Sequence, residues 1–122
     1  MTIKHREFTY RERMKVSPSD LRLARRGRKK CTIRLGVANV IGGQIALTDG
    51  RHSFAVNILS VDADRSYREL SDSDARDEGF ESLAELQADL RQYYGPIDPE
   101  QPMTVIRFEV AEPETGSQES LF

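Results

Sequence analysis

The sequence is poor in residues that form covalent or metal-based links. It has one cysteine, two histidines and no tryptophan in 122 residues. A single cysteine excludes an internal disulfide, and His5 and His52 lack the paired spacing of a structural zinc site, so we expect no metal and no cofactor. No apolar run reaches the length of a membrane span or a signal-peptide core. The sequence therefore predicts a soluble, cytoplasmic protein that does not interact with a membrane.

The length is typical of one domain. A chain of this size buries roughly two thirds of its unfolded surface when it folds, which is enough for stability without disulfides. No internal repeat or linker divides it. We predict a basic leader over residues 1–16 that can contribute an edge strand, one domain over residues 17–110, and a flexible tail over residues 111–122.

Charge is divided unevenly along the chain, although the net charge is only -2. Residues 1–34 contain twelve Lys or Arg and three Asp or Glu, whereas residues 35–122 contain six and seventeen. This asymmetry is typical of proteins that bind a polyanion, but the two halves can equally neutralise each other on a common surface. The densest basic cluster can follow a phosphate backbone if its members share a face. Its members are Arg22, Arg25, Arg26, Arg28, Lys29, Lys30 and Arg34.

Local signals in the first half predict one helix and one hairpin. Ser17 is a favourable N-cap followed by proline, and Gly27 can end the helix in a left-handed conformation. Asp49-Gly50 is a strong hairpin signal between two apolar segments. Glycine and small apolar residues further predict a loop before this hairpin. The predicted strands are 44–48 and 53–61, and the predicted loop is 35–43.

The second half predicts two helices and a strand. Ser71 caps a short helix that Gly79 ends, and Ser82 with Glu85 resembles a capping box before a longer helix. Residues 103–110 read as a buried strand. Strands and helices in this order lack the regular alternation of a doubly wound fold. They favour an α+β domain with a small curved sheet or barrel and flanking helices.

Residues 27–34, Gly-Arg-Lys-Lys-Cys-Thr-Ile-Arg, are where we expect a functional site. Side chains alternate between the faces of a strand, so Thr32 and Arg34 face one side. Cys31 faces the other side, where we expect it to be packed in the core and inert. Lys29 lies in the preceding turn. A hydroxyl, a guanidinium and an amine are thereby predicted to lie close together.

This stretch resembles the signature of a known family. Gly27-x-Lys29-x-x-Thr32-x-Arg34 is similar to the Gly-x-Lys-x-x-x-x-Arg signature of the ASCH domain family. The resemblance extends over residues 17–110. It implies a small PUA-like β-barrel with flanking helices. Many members carry Glu at the position of Thr32, and those are inferred to bind RNA or to act as adaptors.

With threonine at this position, the chain resembles the bacterial amidohydrolases that remove the acetyl group from N(4)-acetylcytidine. This resemblance implies that the catalytic residues are Lys29, Thr32 and Glu78. Amide hydrolysis needs a nucleophile, a proton acceptor and a proton donor for the leaving amine. Thr32 would attack the acetyl carbonyl, Lys29 would accept its proton, and Glu78 would orient the lysine or transfer a proton. Arg34 or backbone N–H groups would stabilise the oxyanion.

Two other functions stay open from the sequence. The first is a non-catalytic RNA-binding module whose basic segment contacts phosphates while a cleft recognises a base. The second is a regulatory adaptor that uses the acidic helices as its contact surface. The expected ligand is a modified nucleoside or RNA. The candidate substrate-binding or RNA-binding residues are Gly27, Arg28, Lys30, Arg34, Arg25 and Arg26.

Overall fold

The computed structural model describes residues 7–111, which form an α+β structure. Seven strands and three α-helices lie within this range. The strands are β1 (Glu7–Tyr10), β2 (Arg13–Lys15), β3 (Cys31–Leu35), β4 (Val37–Val40), β5 (Gln44–Thr48), β6 (Ser53–Ser66) and β7 (Pro102–Val110). The helices are α1 (Pro18–Arg25), α2 (Asp72–Glu78) and α3 (Leu83–Tyr94), and a short 3-10 turn covers Tyr67–Glu69.

Five strands form the main sheet in the order β2-β5-β6-β7-β3, and β1 pairs with β4 in a separate two-stranded sheet. The pairings β1–β4 and β2–β5 are parallel, and the others are antiparallel. The strand order within residues 7–111 leaves β2 and β3 at the two edges. The α+β class is therefore confirmed, whereas closure of the sheet into a barrel is not.

The predicted hairpin is present as β5 and β6, joined by a turn in which Gly50 has a φ of 98°. The predicted loop over 35–43 was wrong, because residues 37–40 form β4. Gly36, with a φ of 95°, turns the chain between β3 and β4. Strand β4 pairs with β1, which lies far away in the sequence, so neighbouring residues carry no signal for it.

The helix ends follow the predicted capping residues. The Ser17 hydroxyl accepts a hydrogen bond from the Asp20 N–H at 3.1 Å, and Gly79 ends α2 in a left-handed conformation. Ser82 caps α3 by accepting from the Glu85 N–H at 3.2 Å. The Glu85 carboxylate accepts from the Glu81 N–H, one residue before the predicted partner.

Strand β7 is buried on both faces and separates two apolar clusters. Ile106 and Phe108 pack with the cluster that includes residues of α1, and Met103 and Val105 pack with the cluster that includes residues of α2 and α3. A run of apolar residues without strict alternation is typical of such a strand. The three helices therefore cover opposite faces of one sheet.

Both ends of the described chain contact the body of the protein. Met14 is fully buried in the predicted leader, where β2 pairs with β5. At the other end, the Ala111 N–H donates to the Ala55 carbonyl at 3.0 Å. The rest of the predicted flexible tail, 112–122, lies outside the described residues, as do residues 1–6.

Candidate functional site

The turn between α1 and β3 positions the first candidate residue. The N–H groups of Arg28 and Lys29 both donate to the Leu23 carbonyl, at 2.9 and 3.2 Å. Gly79 ends α2 close to this turn, since a Cβ built on Gly79 would lie 3.5 Å from the Arg28 carbonyl oxygen. This close approach brings the last residue of α2, Glu78, next to Lys29.

The buried Asp74 carboxylate connects α2 to the sheet and so fixes which face of this helix points towards the sheet. Asp74 is 2% exposed and pairs with Arg65 of β6 and with Arg107 of β7, the latter at 2.7 Å. Asp74 and Glu78 are four residues apart and therefore lie on the same face of the helix. The Asp74 ion pairs thus position Glu78 as well.

Lys29 and Glu78 form a buried ion pair although they are 49 residues apart in sequence. Lys29 is 2% exposed and Glu78 is 9% exposed. One oxygen of Glu78 contacts the Lys29 amine, and the other accepts the Ile33 N–H at 2.8 Å. Buried charges are stable only when such partners compensate for the loss of water.

Burial raises the pKa of Glu78, and the Lys29 amine and the Ile33 N–H oppose this effect. The charge of Asp20 adds to the rise. Burial and Asp20 also raise the pKa of Asp89. Three acidic side chains therefore line the same cavity as this lysine, and burial weakens the preference of Glu78 and Asp89 for the ionised form.

The pair lies in the wall of a cavity of about 850 Å³. Thr32 lines the same cavity and is 4% exposed, and its hydroxyl forms no hydrogen bond with the residues that the structure describes. Arg34 also lines it and donates from Nη2 to the Lys15 carbonyl at 2.8 Å. The Arg34 Nε is buried and has no acceptor within residues 7–111. The cavity is thus lined by a hydroxyl without a hydrogen bond and by a guanidinium whose buried Nε donor has no acceptor in the described range.

Aromatic side chains from α3 form another wall of this cavity. Tyr93 and Tyr94 both line it, with ring centroids 5.0 Å apart in an edge-to-face arrangement. Tyr93 is 81% exposed, and Phe80 also lines the cavity. Flat apolar surfaces of this kind suit stacking of a nucleobase.

Comparison with known proteins identifies the architecture. No family model and no curated protein matches the sequence. A solved ASCH domain from Lactobacillus crispatus JV V101 superposes with a TM-score of 0.65 at 19% identity, over 87% of this chain and 80% of that one. The chain has the fold of an ASCH domain. A protein from Enterococcus faecalis V583, described with the family model DUF984, gives a TM-score of 0.52 at 17% identity, over 91% of this chain and 83% of that one.

The ASCH-like fold separates the residues predicted from sequence into three groups. Lys29, Thr32, Glu78 and Arg34 line the large cavity. Arg25 and Arg26 line a second cavity of about 450 Å³. Gly27, Arg28 and Lys30 are exposed and line neither of these two cavities.

Several residues of the large cavity were not anticipated from sequence. Asp20 of α1 and Tyr94 of α3 line it but are not among the predicted site residues. The two adjacent tyrosines at the end of α3 indicated that at least one aromatic ring lies at the surface, because neighbouring helical residues cannot both face the core.

The ASCH-like fold offers no evident metal centre within its described part. No cluster of three or more His, Cys, Asp or Glu suited to a metal ion occurs in residues 7–111. No helix there has the length and apolar content to span a bilayer.

Proposed function

We propose that the chain is a member of the ASCH family and hydrolyses the amide bond of an N(4)-acylated cytidine such as N(4)-acetylcytidine. The observation that carries this proposal is the meeting of Lys29, Thr32 and Glu78 in one cavity, with the lysine and the glutamate in direct contact. Each residue alone has an ordinary structural explanation. An amine, an alcohol and an acid in one concave site are the groups that acyl transfer needs.

The Lys29–Glu78 pair provides a route for the proton. If the lysine proton moves to Glu78, the amine becomes neutral and can accept the proton of the Thr32 hydroxyl. Burial favours this transfer because it raises the pKa of Glu78. The Thr32 oxygen then bonds to the acyl carbon, the bond from that carbon to N4 breaks, and the proton passes to N4 of the departing cytidine. Water subsequently hydrolyses the acyl ester on Thr32 and restores the hydroxyl.

Arg34 is the candidate donor to the oxyanion. Its Nε–H has no acceptor within the described residues, and a buried donor without an acceptor is unfavourable. A negatively charged oxygen that forms in the transition state would satisfy it. Such a fixed donor stabilises the transition state more than the substrate.

The rest of the cavity suits a nucleoside. Its volume of about 850 Å³ is within the usual range of small-molecule sites, roughly 300–1,000 Å³. The Tyr93 and Phe80 rings can stack on the base, and the Asp20 and Asp89 carboxylates can accept hydrogen bonds from ribose hydroxyls.

The test is to incubate purified protein with N(4)-acetylcytidine and to measure cytidine release by chromatography. Thr32→Val keeps the shape of the side chain but removes the hydroxyl, so we expect kcat to fall at least about 10³-fold. Thr32→Ser should retain measurable turnover. Thr9→Val is a matched control, since Thr9 is exposed on β1 and lines neither cavity. Absence of turnover by the wild type, or undiminished turnover in folded Thr32→Val, would refute the proposal.

A non-catalytic RNA-binding role is the second candidate. It is favoured by the exposed arginines of α1, which form no ion pair with the residues that the structure describes. In that case the wild type would bind RNA with an affinity that falls steeply with salt but would release no cytidine. The same chromatographic assay therefore separates the two candidates.

A further inference from the structure

A second cavity lies on the other side of α1 from the catalytic candidates. It has a volume of about 450 Å³ and is lined by three arginines, Arg22, Arg25 and Arg26. Phe54 and His52 of the β5–β6 hairpin also line it. Guanidinium groups bind phosphate with paired, charge-assisted hydrogen bonds, so the chemistry of this lining favours a phosphate ester.

The three arginines are available to a ligand. None of them forms an ion pair or side-chain hydrogen bond with another residue of the described range. In contrast, Arg65 and Arg107, on the opposite side of the sheet, are both paired with Asp74. The ion pairs formed by the acidic half within residues 7–111 therefore do not include these three arginines.

One of the arginines is already held in position. The Arg25 guanidinium lies 5.1 Å from the centre of the Phe54 ring. A guanidinium on an aromatic face keeps its N–H donors at the edges, where they can reach a ligand. This contact reduces the side-chain freedom that would be lost when an anion binds.

Asp49 is the one acidic residue among those that line this cavity, and its charge is compensated locally. Its carboxylate accepts the His52 N–H at 2.7 Å and the Arg51 N–H at 2.8 Å. These backbone bonds lower the pKa of Asp49. The lining therefore has an excess of positive charge.

The two cavities are adjacent. Pro18 and Asp49 line both of them. Asp20 in the first cavity and Arg25 in the second are separated along the axis of α1 by roughly 7.5 Å, at 1.5 Å per residue. A stacked strand advances about 3.4 Å per nucleotide, so a few nucleotides span this distance.

We infer that the second cavity is a phosphate subsite: it binds a phosphate ester attached to the nucleoside whose base occupies the first cavity. The role of the first cavity in this inference rests on the proposed function. The phosphate belongs either to the nucleotide itself or to a neighbouring position of an RNA strand. The chemistry of recognition is the same for both sources.

Binding of unreactive ligands tests the subsite directly. We would measure the affinities of cytidine, cytidine 5′-monophosphate and a cytidine trinucleotide by calorimetry at low salt. At least one phosphorylated ligand should bind about tenfold more tightly than cytidine, because a new charge-assisted contact is made. A gain in affinity with the monophosphate would show that the subsite binds the nucleotide's own phosphate. A gain with the trinucleotide alone would show that it binds a phosphate at a neighbouring position of the strand. No gain with either ligand would overturn the inference.

Arg25→Ala/Arg26→Ala should abolish that tenfold gain. Its matched control is Arg11→Ala/Arg76→Ala, which removes the same charge from exposed residues that line neither cavity and form no ion pair within residues 7–111. The control should keep the gain. A gain that persists in the first variant, or that is lost equally in the control, contradicts the subsite.

The salt dependence adds a quantitative check for the strand. Each phosphate contact on a single strand contributes about 0.7 to the slope of log affinity against log salt. Loss of the one bound phosphate in Arg25→Ala/Arg26→Ala should therefore reduce the trinucleotide slope by about 0.7. An unchanged salt slope in this variant would show that the gain in trinucleotide affinity comes from phosphate contacts outside the second cavity.

Failure of the subsite can be distinguished from failure of the proposed function. Release of cytidine from N(4)-acetylcytidine without any phosphate-dependent gain in binding would refute the subsite alone. A gain that depends on Arg25 and Arg26 in a protein that releases no cytidine would support the subsite and refute the hydrolase.

Discussion

Replacing Lys29 by methionine should destabilise the protein in a way that depends strongly on pH. Methionine keeps much of the apolar stem of lysine but removes the ammonium group. The Glu78 carboxylate, 9% exposed, would then keep only the Ile33 N–H as a partner. Removing one member of a buried ion pair typically costs about 3–5 kcal/mol, because the remaining charge has no compensation.

Protonation of Glu78 limits this cost. Keeping a glutamate protonated above its reference pKa of about 4.3 costs about 1.36 kcal/mol per pH unit. A protonated Glu78 in the folded variant therefore costs about 3.7 kcal/mol at pH 7 and about 1 kcal/mol at pH 5. Burial raises the pKa of Glu78 in the folded state, so the folded chain binds this proton more readily than the unfolded chain. Stability is then lost as the pH rises from the unfolded pKa towards the folded one. The deficit of Lys29→Met should therefore shrink between pH 7 and pH 5, by at most about 2.7 kcal/mol, because the wild type already has part of this pH dependence.

The assay is urea unfolding, followed by circular dichroism, of the wild type and the variant at pH 5, 6 and 7. Differences between the two proteins cancel the titration of groups whose surroundings are the same in both. Lys29→Met/Glu78→Gln removes the titrating carboxyl group, so its deficit should vary less with pH than that of Lys29→Met. Arg28→Met, at an exposed neighbour, should change the free energy of unfolding by less than about 0.5 kcal/mol. An equal deficit for Lys29→Met at pH 5 and pH 7 would refute the reasoning.

Three further predictions concern the surroundings of the site. Burial raises the pKa of Asp74, but hydrogen bonds, first of all that from Arg107, outweigh this effect and lower the pKa overall. The ionised Asp74 therefore stabilises the fold above its pKa in the unfolded chain, and this stabilisation is lost as the pH falls through its pKa in the folded chain. Asp74→Asn should cost about 2–3 kcal/mol at pH 7 in urea unfolding, and less below pH 4, whereas an equal cost at both would contradict this role. Gly79→Ala should cost about 1–2 kcal/mol because its φ is 99°, and Gly43→Ala, at an ordinary φ, should cost less. Burial raises the pKa of the Cys31 thiol, so a thiol reagent should label it only after unfolding, and rapid labelling of the native protein would show that it is accessible.

The ion pairs of Asp74 connect stability with the site. Because Asp74 and Glu78 share one face of α2, loosening of the Asp74 contacts to β6 and β7 should also displace Glu78. Under the proposed function, Asp74→Asn would then lower cytidine release even at temperatures where the variant is fully folded. Measuring release and unfolding on the same preparation separates the two effects.

The sequence determined the features that depend on neighbouring residues. Ser17, Ser71 and Gly79 set the helix ends, because a cap requires only groups within about four positions of itself. The Asp49-Gly50 turn fixed the hairpin for the same reason. Alternation along β3 placed Thr32 towards the large cavity and Cys31 in the core.

The tertiary structure decided everything that joins distant segments. Strand β4 exists because β1 pairs with it, and the contact between Lys29 and Glu78 exists because α2 packs against the turn before β3. The division of the basic cluster between two cavities depends on which side of α1 each residue faces once the helix is docked. These outcomes depend on packing between elements far apart in the chain, and local propensities do not encode that geometry.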